Sequence, residues 1–222
     1  MKKINICIAG STGLVGRDVL KFLNDENQVL KITTLTRSKI ESQLSKEINL
    51  NTAFDNLADL NITADVFICA LGTTIKIAKS KAAFKKVDFD YVVHFAKLAE
   101  SVNAKKLIIV SALGANADSK VYYNKIKGEM EDYISNLKIP AIEFFQPSLL
   151  LGDRSESRPL EAFAKSISPL SNLILAGPLK KYRAISSCDV ARAIAFQALK
   201  FEKSGVAKFE SDRIQKIADQ LK

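Results

Sequence analysis

Histidine is almost absent from this chain: His94 is the only one among 222 residues, which excludes a histidine-rich zinc site. Set within a helical stretch beside Phe95, it reads as a partly buried structural residue. Cysteine is scarce too. Cys7, Cys69 and Cys188 are an odd number at no metal-binding spacing, and two lie in apolar runs, so all three are expected to be reduced packing residues and no metal is expected. No apolar run reaches the roughly eighteen residues that a membrane-spanning helix needs. The first apolar stretch, Ile4 to Ala9, stops at Gly10 and is too short for a signal peptide. These scarcities predict a cytoplasmic protein with no membrane partner.

Acidic residues are outnumbered, 24 against 33 basic ones, for a formal net charge of +9. Such an excess suits nucleic acid, anionic lipid or a phosphorylated small molecule. Here the lysines are scattered as short pairs with acids between them, and no basic stripe is interleaved with aromatics. Solvated surface is therefore expected, and nucleic acid is not an expected partner. At 47% hydrophobic and 26% charged residues, the composition is that of a globular chain rather than a disordered one. The length suits one substantial domain.

Strand and helix signals alternate along the chain. Lys3 to Ala9, Val29 to Thr36, Ala64 to Ala70, Lys106 to Val110 and Ala141 to Phe145 read as strands, with a weaker one at Asn51 to Phe54. Leu14 to Leu23 and Lys120 to Leu137 read as helices between them. Val87, Tyr91, Phe95, Leu98 and Val102 recur at steps of three and four, the buried stripe of a long helix. Near-continuous apolar strands separated by helices predict an α/β fold, a doubly wound parallel sheet of the Rossmann type covered on both faces. After Pro147 the rhythm breaks. Residues 149–180 are expected to form a small cap, with a helix near Leu160 to Ile167, on a single domain spanning 1–222. A helix at Asp189 to Phe201, a strand at Val206 to Phe209 and a terminal helix complete the reading.

Three local motifs carry chemistry. Gly10-Ser11-Thr12-Gly13-Leu14-Val15-Gly16 lies between the first strand and the first helix. Glycines there permit a tight turn, close approach of a pyrophosphate and close packing of helix on strand, and the helix N-terminus offers free N–H groups to phosphate. At the end of the second strand, where NAD-binding domains usually present an acid to the ribose, stands Arg37, followed by Ser38. A guanidinium pairs with a 2′-phosphate, so NADP(H) is favoured over NAD(H); an ordinary surface arginine is the plainer alternative. Tyr123 and Lys127 are four apart on a helix and share a face, an arrangement in which an ammonium stabilises a phenolate for general acid–base work.

With Ser111, these residues resemble the short-chain dehydrogenase/reductase superfamily. More narrowly, the chain resembles a small atypical NAD(P)-binding branch that includes the human Tat-interacting tumour-suppressor oxidoreductase and bacterial relatives. The narrower resemblance rests on Cys69 to Thr74, Val87 to Tyr91, Tyr123 to Glu129, and Asp153-Arg154-Ser155-Glu156-Ser157-Arg158-Pro159. It implies a phosphate-binding turn at Thr12 to Val15, a 2′-phosphate site at Arg37 and Ser38, and an adenine contact at Asp55. It also implies a loop passing under the cofactor at Ala70, Leu71, Gly72 and Thr73, and a nicotinamide end near Pro147, Leu150 and Arg158. Tyr123 matches the catalytic tyrosine, Lys127 the lysine that also holds the nicotinamide ribose, and Ser111 the serine that polarises a carbonyl. Relatives commonly carry arginine before Pro147, where this chain has Gln146. The loop from Asp153 to Arg158 reads equally as an anion-recognising element or as a set of internal ion pairs.

Two function classes follow. One is an NADP(H)-dependent oxidoreductase in which NADPH supplies hydride to a small carbonyl compound, Tyr123 protonates the alkoxide, Ser111 hydrogen-bonds the oxygen and Lys127 tunes the tyrosine. The other is an NADPH-binding regulator that recognises a protein partner without turnover. A full Ser–Tyr–Lys set favours the first, since a pure sensor needs no acid.

Overall fold

The computed structural model describes residues 3–42, 44–152, 177–201 and 204–221. Ile4–Ala9 (β1) leads through the glycine turn into Leu14–Asp25 (α1), then Val29–Thr36 (β2), Glu47–Asn51 (β3) and Val66–Cys69 (β4). Two short helices, Ile75–Ala78 (α2) and Lys81–Lys85 (α3), run through a π-helical turn at Lys86–Asp90 into Tyr91–Ser101 (α4). Lys106–Val110 (β5), Tyr122–Ser135 (α5) and Ala141–Gln146 (β6) follow, then Leu150–Leu151 (β7), Ile185–Ser186 (β8), Ser187–Ala198 (α6), Gly205–Glu210 (β9) and Ser211–Asp219 (α7). Among the described residues, seven strands form one sheet in the order β3-β2-β1-β4-β5-β6-β9, every neighbouring pair parallel. The Rossmann fold expected from the sequence is the one observed. The order reverses between β1 and β4, and that switch point is where a doubly wound sheet opens a crevice.

Alternation along the strands explains their unbroken apolar runs. In β1, Ile4, Ile6 and Ile8 face α1 and α6, packing with Val19, Leu23, Val190 and Ile194. Cys7 and Ala9 face the other way, toward Phe95, Ala96, Met130 and Ile134 of α4 and α5. Both sheet faces are buried, so apolar residues predominate at successive positions, with Asn5 the one polar residue of β1. Cys7 and Cys69 lie in neighbouring strands, buried and free, and burial pushes both thiols up, Cys69 to about 12.

Two expectations need correction. The third strand is Glu47–Asn51, not Asn51 to Phe54. It is an edge strand held to β2 by polar side chains: Thr34 Oγ1 donates to Glu47 at 2.7 Å, and Asn49 Nδ2 donates to Thr34 Oγ1 at 3.0 Å. Glu47-Ile48-Asn49-Leu50-Asn51 alternates polar and apolar residues, a period-two signal only five residues long, and Phe54 is buried from a loop instead. The long helix is also broken in phase. The π turn carries one extra residue, so Asp88 points inward while Val87 is only partly buried. Most of the segment expected to form a cap, including the helix near Leu160 to Ile167, lies outside the described residues.

Candidate functional site

The glycine turn is built by steric exclusion. Gly10 has φ +84°, and a Cβ there would meet the Ala70 carbonyl carbon at 2.6 Å. The backbones leaving β1 and β4 touch at the switch point, and a left-handed glycine permits it. A Cβ on Gly16 would lie 2.1 Å from the Gly10 carbonyl oxygen, so α1 packs onto the turn with no room for a side chain. Gly16→Ala is therefore expected to destabilise the fold by about 3 kcal/mol, read by urea unfolding, because both clashing groups are backbone. Wild-type stability would show that α1 can ride outward without loss. Gly13 caps α1 without a side-chain hydrogen bond, and the first turn holds no acid. Its dipole is therefore left uncompensated within the helix.

The other expected nucleotide contacts line the same sheet edge. Arg37 and Ser38 are exposed just past β2; Thr36 Oγ1 donates to the Ser38 carbonyl at 2.7 Å and shapes that exit. Asp55 is exposed, paired with Lys86 at 2.7 Å and accepting the Tyr91 hydroxyl at 3.2 Å. The Lys86 contact holds its carboxyl below the usual range. His94 Nδ1 sits 2.8 Å from the Phe54 carbonyl oxygen in the same loop, a structural contact. Ala70, Leu71 and Thr73 are partly buried and Gly72 is exposed in the loop after β4.

Beyond β5 and β6 a cleft of about 630 Å³ opens, lined by Ser111, Tyr123, Asn124, Pro147, Ser148 and Leu150 among others. Tyr123 reaches it from the first turn of α5, its ring 5.3 Å from Phe84. Neighbouring Tyr122 turns away, donating to the Lys81 carbonyl at 3.2 Å. Ser111 is held at the strand exit by its N–H, which donates to the Phe145 carbonyl at 2.7 Å. Its Oγ is buried and has no hydrogen-bond partner among the described residues. An unpaired buried hydroxyl is unfavourable unless something else uses it. Leu150 pairs with Ile185 through β7 and β8. Arg158, and with it the whole Asp153–Arg158 loop, lies outside the described residues.

Lys127 is buried and its ammonium lies 2.8 Å from a carboxylate oxygen of Asp88. Burial alone would push this lysine down, but the Asp88 carboxylate, followed by the Tyr123 phenol, more than offsets it and holds the ammonium above its ordinary value. Sequence reasoning noted Asp88 only as part of a family motif. The helical period placed Val87 inward, so nothing short of the π turn would have found it. Gln146, where relatives commonly carry arginine, sits in a buried cluster: its Nε2 donates to both oxygens of the buried Glu131 at 2.9 Å. Lys208 of β9 brings the cation, 2.7 Å away.

A protein-family model described as HIM1 matches residues 24–176. The mitochondrial protein FMP52 of Meyerozyma guilliermondii is 35% identical over 206 residues, covering 89% of this chain and 86% of that one. The protein HTATIP2 of Rattus norvegicus is 33% identical over 171 residues, covering 74% of this chain and 70% of its own. Among solved structures, the oxidoreductase ylbE of Lactococcus lactis superposes with a TM-score of 0.66 at 18% identity, covering 98% of this chain and 96% of that one. The Bordetella bronchiseptica enzyme WbmG, solved in complex with NAD, gives 0.67 at 13% identity, covering 99% and 79%. These relatives overturn the expected cytoplasmic location, because curated relatives from three yeasts and from Emericella nidulans are named mitochondrial. That expectation rested on few cysteines and a short first apolar stretch, neither of which distinguishes one reducing compartment from another. Among the described residues no helix is long and apolar enough to cross a membrane. Family model and relatives agree: the chain belongs to the HIM1 family, and it is built on a Rossmann scaffold.

Proposed function

We propose that the protein is an NADP(H)-dependent oxidoreductase that reduces a small carbonyl compound. The observation that carries this reading is the buried Ser111 hydroxyl, without a hydrogen-bond partner among the described residues, lining the same cleft as Tyr123, at the sheet edge where the glycine turn also stands. The residues present suit a dinucleotide: the turn from Gly10 to Gly16 leaves backbone N–H groups and a helix N-terminus for the pyrophosphate, and Arg37 is exposed with no ion-pair partner among the described residues. Ser38 lies beside Arg37 and would share the 2′-phosphate, Asp55 would contact the adenine, and Ala70 to Thr73 would pass under the cofactor. Pro147 and Leu150 would border the nicotinamide end, and Lys127 would hold the ribose.

When bound, the nicotinamide supplies a hydride. Ser111 Oγ donates a hydrogen bond to the carbonyl oxygen as negative charge gathers there, and the Tyr123 hydroxyl hands over a proton. The test is a panel of aldehydes, ketones and quinones followed through NADPH absorbance. Turnover of some member that falls in Ser111→Ala supports the reading. NADPH binding with no turnover across a broad panel overturns it and leaves a cofactor-binding regulator.

Cofactor choice is a separate prediction. NADPH is expected to bind at least about tenfold more tightly than NADH, since one charge-assisted contact supplies about 1.5–3 kcal/mol. Calorimetry with both nucleotides decides it, and an Arg37→Ala variant that keeps the preference would remove Arg37 from the assignment.

A further inference from the structure

The cleft beyond β5 and β6 has a further border to which the proposed chemistry gives no part. Lys181 and Tyr182, from a 3₁₀ turn at Gly177–Tyr182, and Glu210, the last residue of β9, line it together with Ser111 and Tyr123. Strand register fixes the spacing. Val110 of β5 pairs with Phe145 of β6, and Gln146, one residue further on, pairs with Glu210. Ser111 and Glu210 therefore stand level on the sheet edge and two strands apart, about 10 Å at the backbone. The segment carrying Lys181 is tied to the same edge. The Ser148 hydroxyl donates to the Arg183 carbonyl, and the Ile185 N–H donates to the Leu149 carbonyl at 2.9 Å.

Lys181 Nζ lies 3.0 Å from Glu210 Oε1, with side chains 34% and 39% exposed. An ion pair this accessible adds little to stability, so the fold alone does not call for one at the cleft. An ammonium has three N–H donors and a carboxylate two acceptor oxygens. Among the described residues each makes its one hydrogen bond to the other, which leaves donors and an acceptor side by side. The pair is neutral overall. A ligand carboxylate or phosphate drawn to Lys181 also meets Glu210, and a ligand ammonium drawn to Glu210 also meets Lys181. A hydroxyl avoids both repulsions, because it accepts from the ammonium and donates to the carboxylate. An apolar chain would take water from both groups and return no hydrogen bond. The exposed Tyr182 ring, 5.7 Å from Lys181 Nζ, adds a surface that is apolar on its face and polar at its tip.

We propose that Lys181 and Glu210 are specificity-determining residues that select an uncharged, polyhydroxylated carbonyl compound, with its carbonyl at Ser111 and Tyr123 and its hydroxyls, several carbons away, on the Lys181–Glu210 pair. The carbonyl end of this placement rests on the reductase reading above; the hydroxyl end does not.

The experiment reads binding rather than turnover. Protein labelled at lysine 13Cε, with the Lys181 signal assigned by its absence from Lys181→Arg, is titrated with D-sorbitol, hexanoate and 1-hexanol, probes of equal chain length that NADPH does not reduce. Series are run with and without NADPH. Sorbitol is expected to shift the Lys181 signal saturably and to bind at least about tenfold more tightly than either other probe. In Glu210→Gln, which leaves the ammonium uncompensated but keeps a hydrogen-bonding neighbour, hexanoate is expected to gain about tenfold in affinity while sorbitol changes little. Hexanoate or hexanol binding as tightly as sorbitol to the wild type overturns the proposal. So does the lack of a saturable sorbitol shift in both series, or a hexanoate affinity that Glu210→Gln leaves unmoved. A carbonyl panel without turnover ends the reductase reading and leaves this binding order in force, and a failed binding order leaves the turnover test of Ser111→Ala standing.

Discussion

Tyr123→Phe is expected to lower carbonyl turnover by about 10²–10⁴-fold, the range that a positioned general acid contributes. The substitution removes one hydroxyl and leaves the ring packed against Phe84. NADPH affinity should change far less, because the glycine turn and Arg37 stand past β1 and β2, on the other side of β4 from the cleft beyond β5 and β6. Single-turnover kinetics with calorimetry on the same preparation separates the two effects. Turnover that survives in Tyr123→Phe would mean that another group supplies the proton, and the Ser–Tyr–Lys assignment would be wrong.

Lys127→Met has the largest expected effect on stability. The methionine fills much of the same volume, but it leaves the Asp88 carboxylate buried with, among the described residues, only the Thr73 N–H for compensation. Removing one partner of a buried ion pair destabilises by about 3–5 kcal/mol, since the remaining charge keeps its full desolvation penalty. Urea unfolding is expected to show that loss, and Asp88→Asn added to Lys127→Met should recover part of it by removing the stranded charge. If the double variant is no more stable than Lys127→Met alone, the two side chains are not energetically coupled. Turnover should fall as well, through the lost charge beside Tyr123.

The strands β1, β2, β4, β5 and β6 and the glycine turn were legible in the residues alone, because each is written in a short contiguous run. Apolar residues facing both ways demand a covered parallel sheet, and a left-handed glycine after a strand demands a tight turn. Tyr123 and Ser111 were legible too, one from helical spacing and one from its place after a strand, and the structure sets both on one cleft. What stayed hidden depends on partners distant in sequence or on a departure from regular periodicity. The edge strand β3 alternates polar and apolar residues over five positions only, and what fixes it is its parallel pairing with β2, reinforced by Thr34, Glu47 and Asn49. Gln146, Glu131 and Lys208 form one cluster from β6, α5 and β9, and only the packed sheet brings them within reach. The pairing of Asp88 with Lys127 needed both conditions at once. A single inserted residue in the helix turned a carboxylate inward, and the tertiary packing of α5 placed a lysine there to meet it. Short-range pattern therefore determined the scaffold and the identity of the chemical groups. The charge environment of those groups was decided by contacts that exist only once the chain has folded, because Coulombic energies depend on distance and burial rather than on order along the chain.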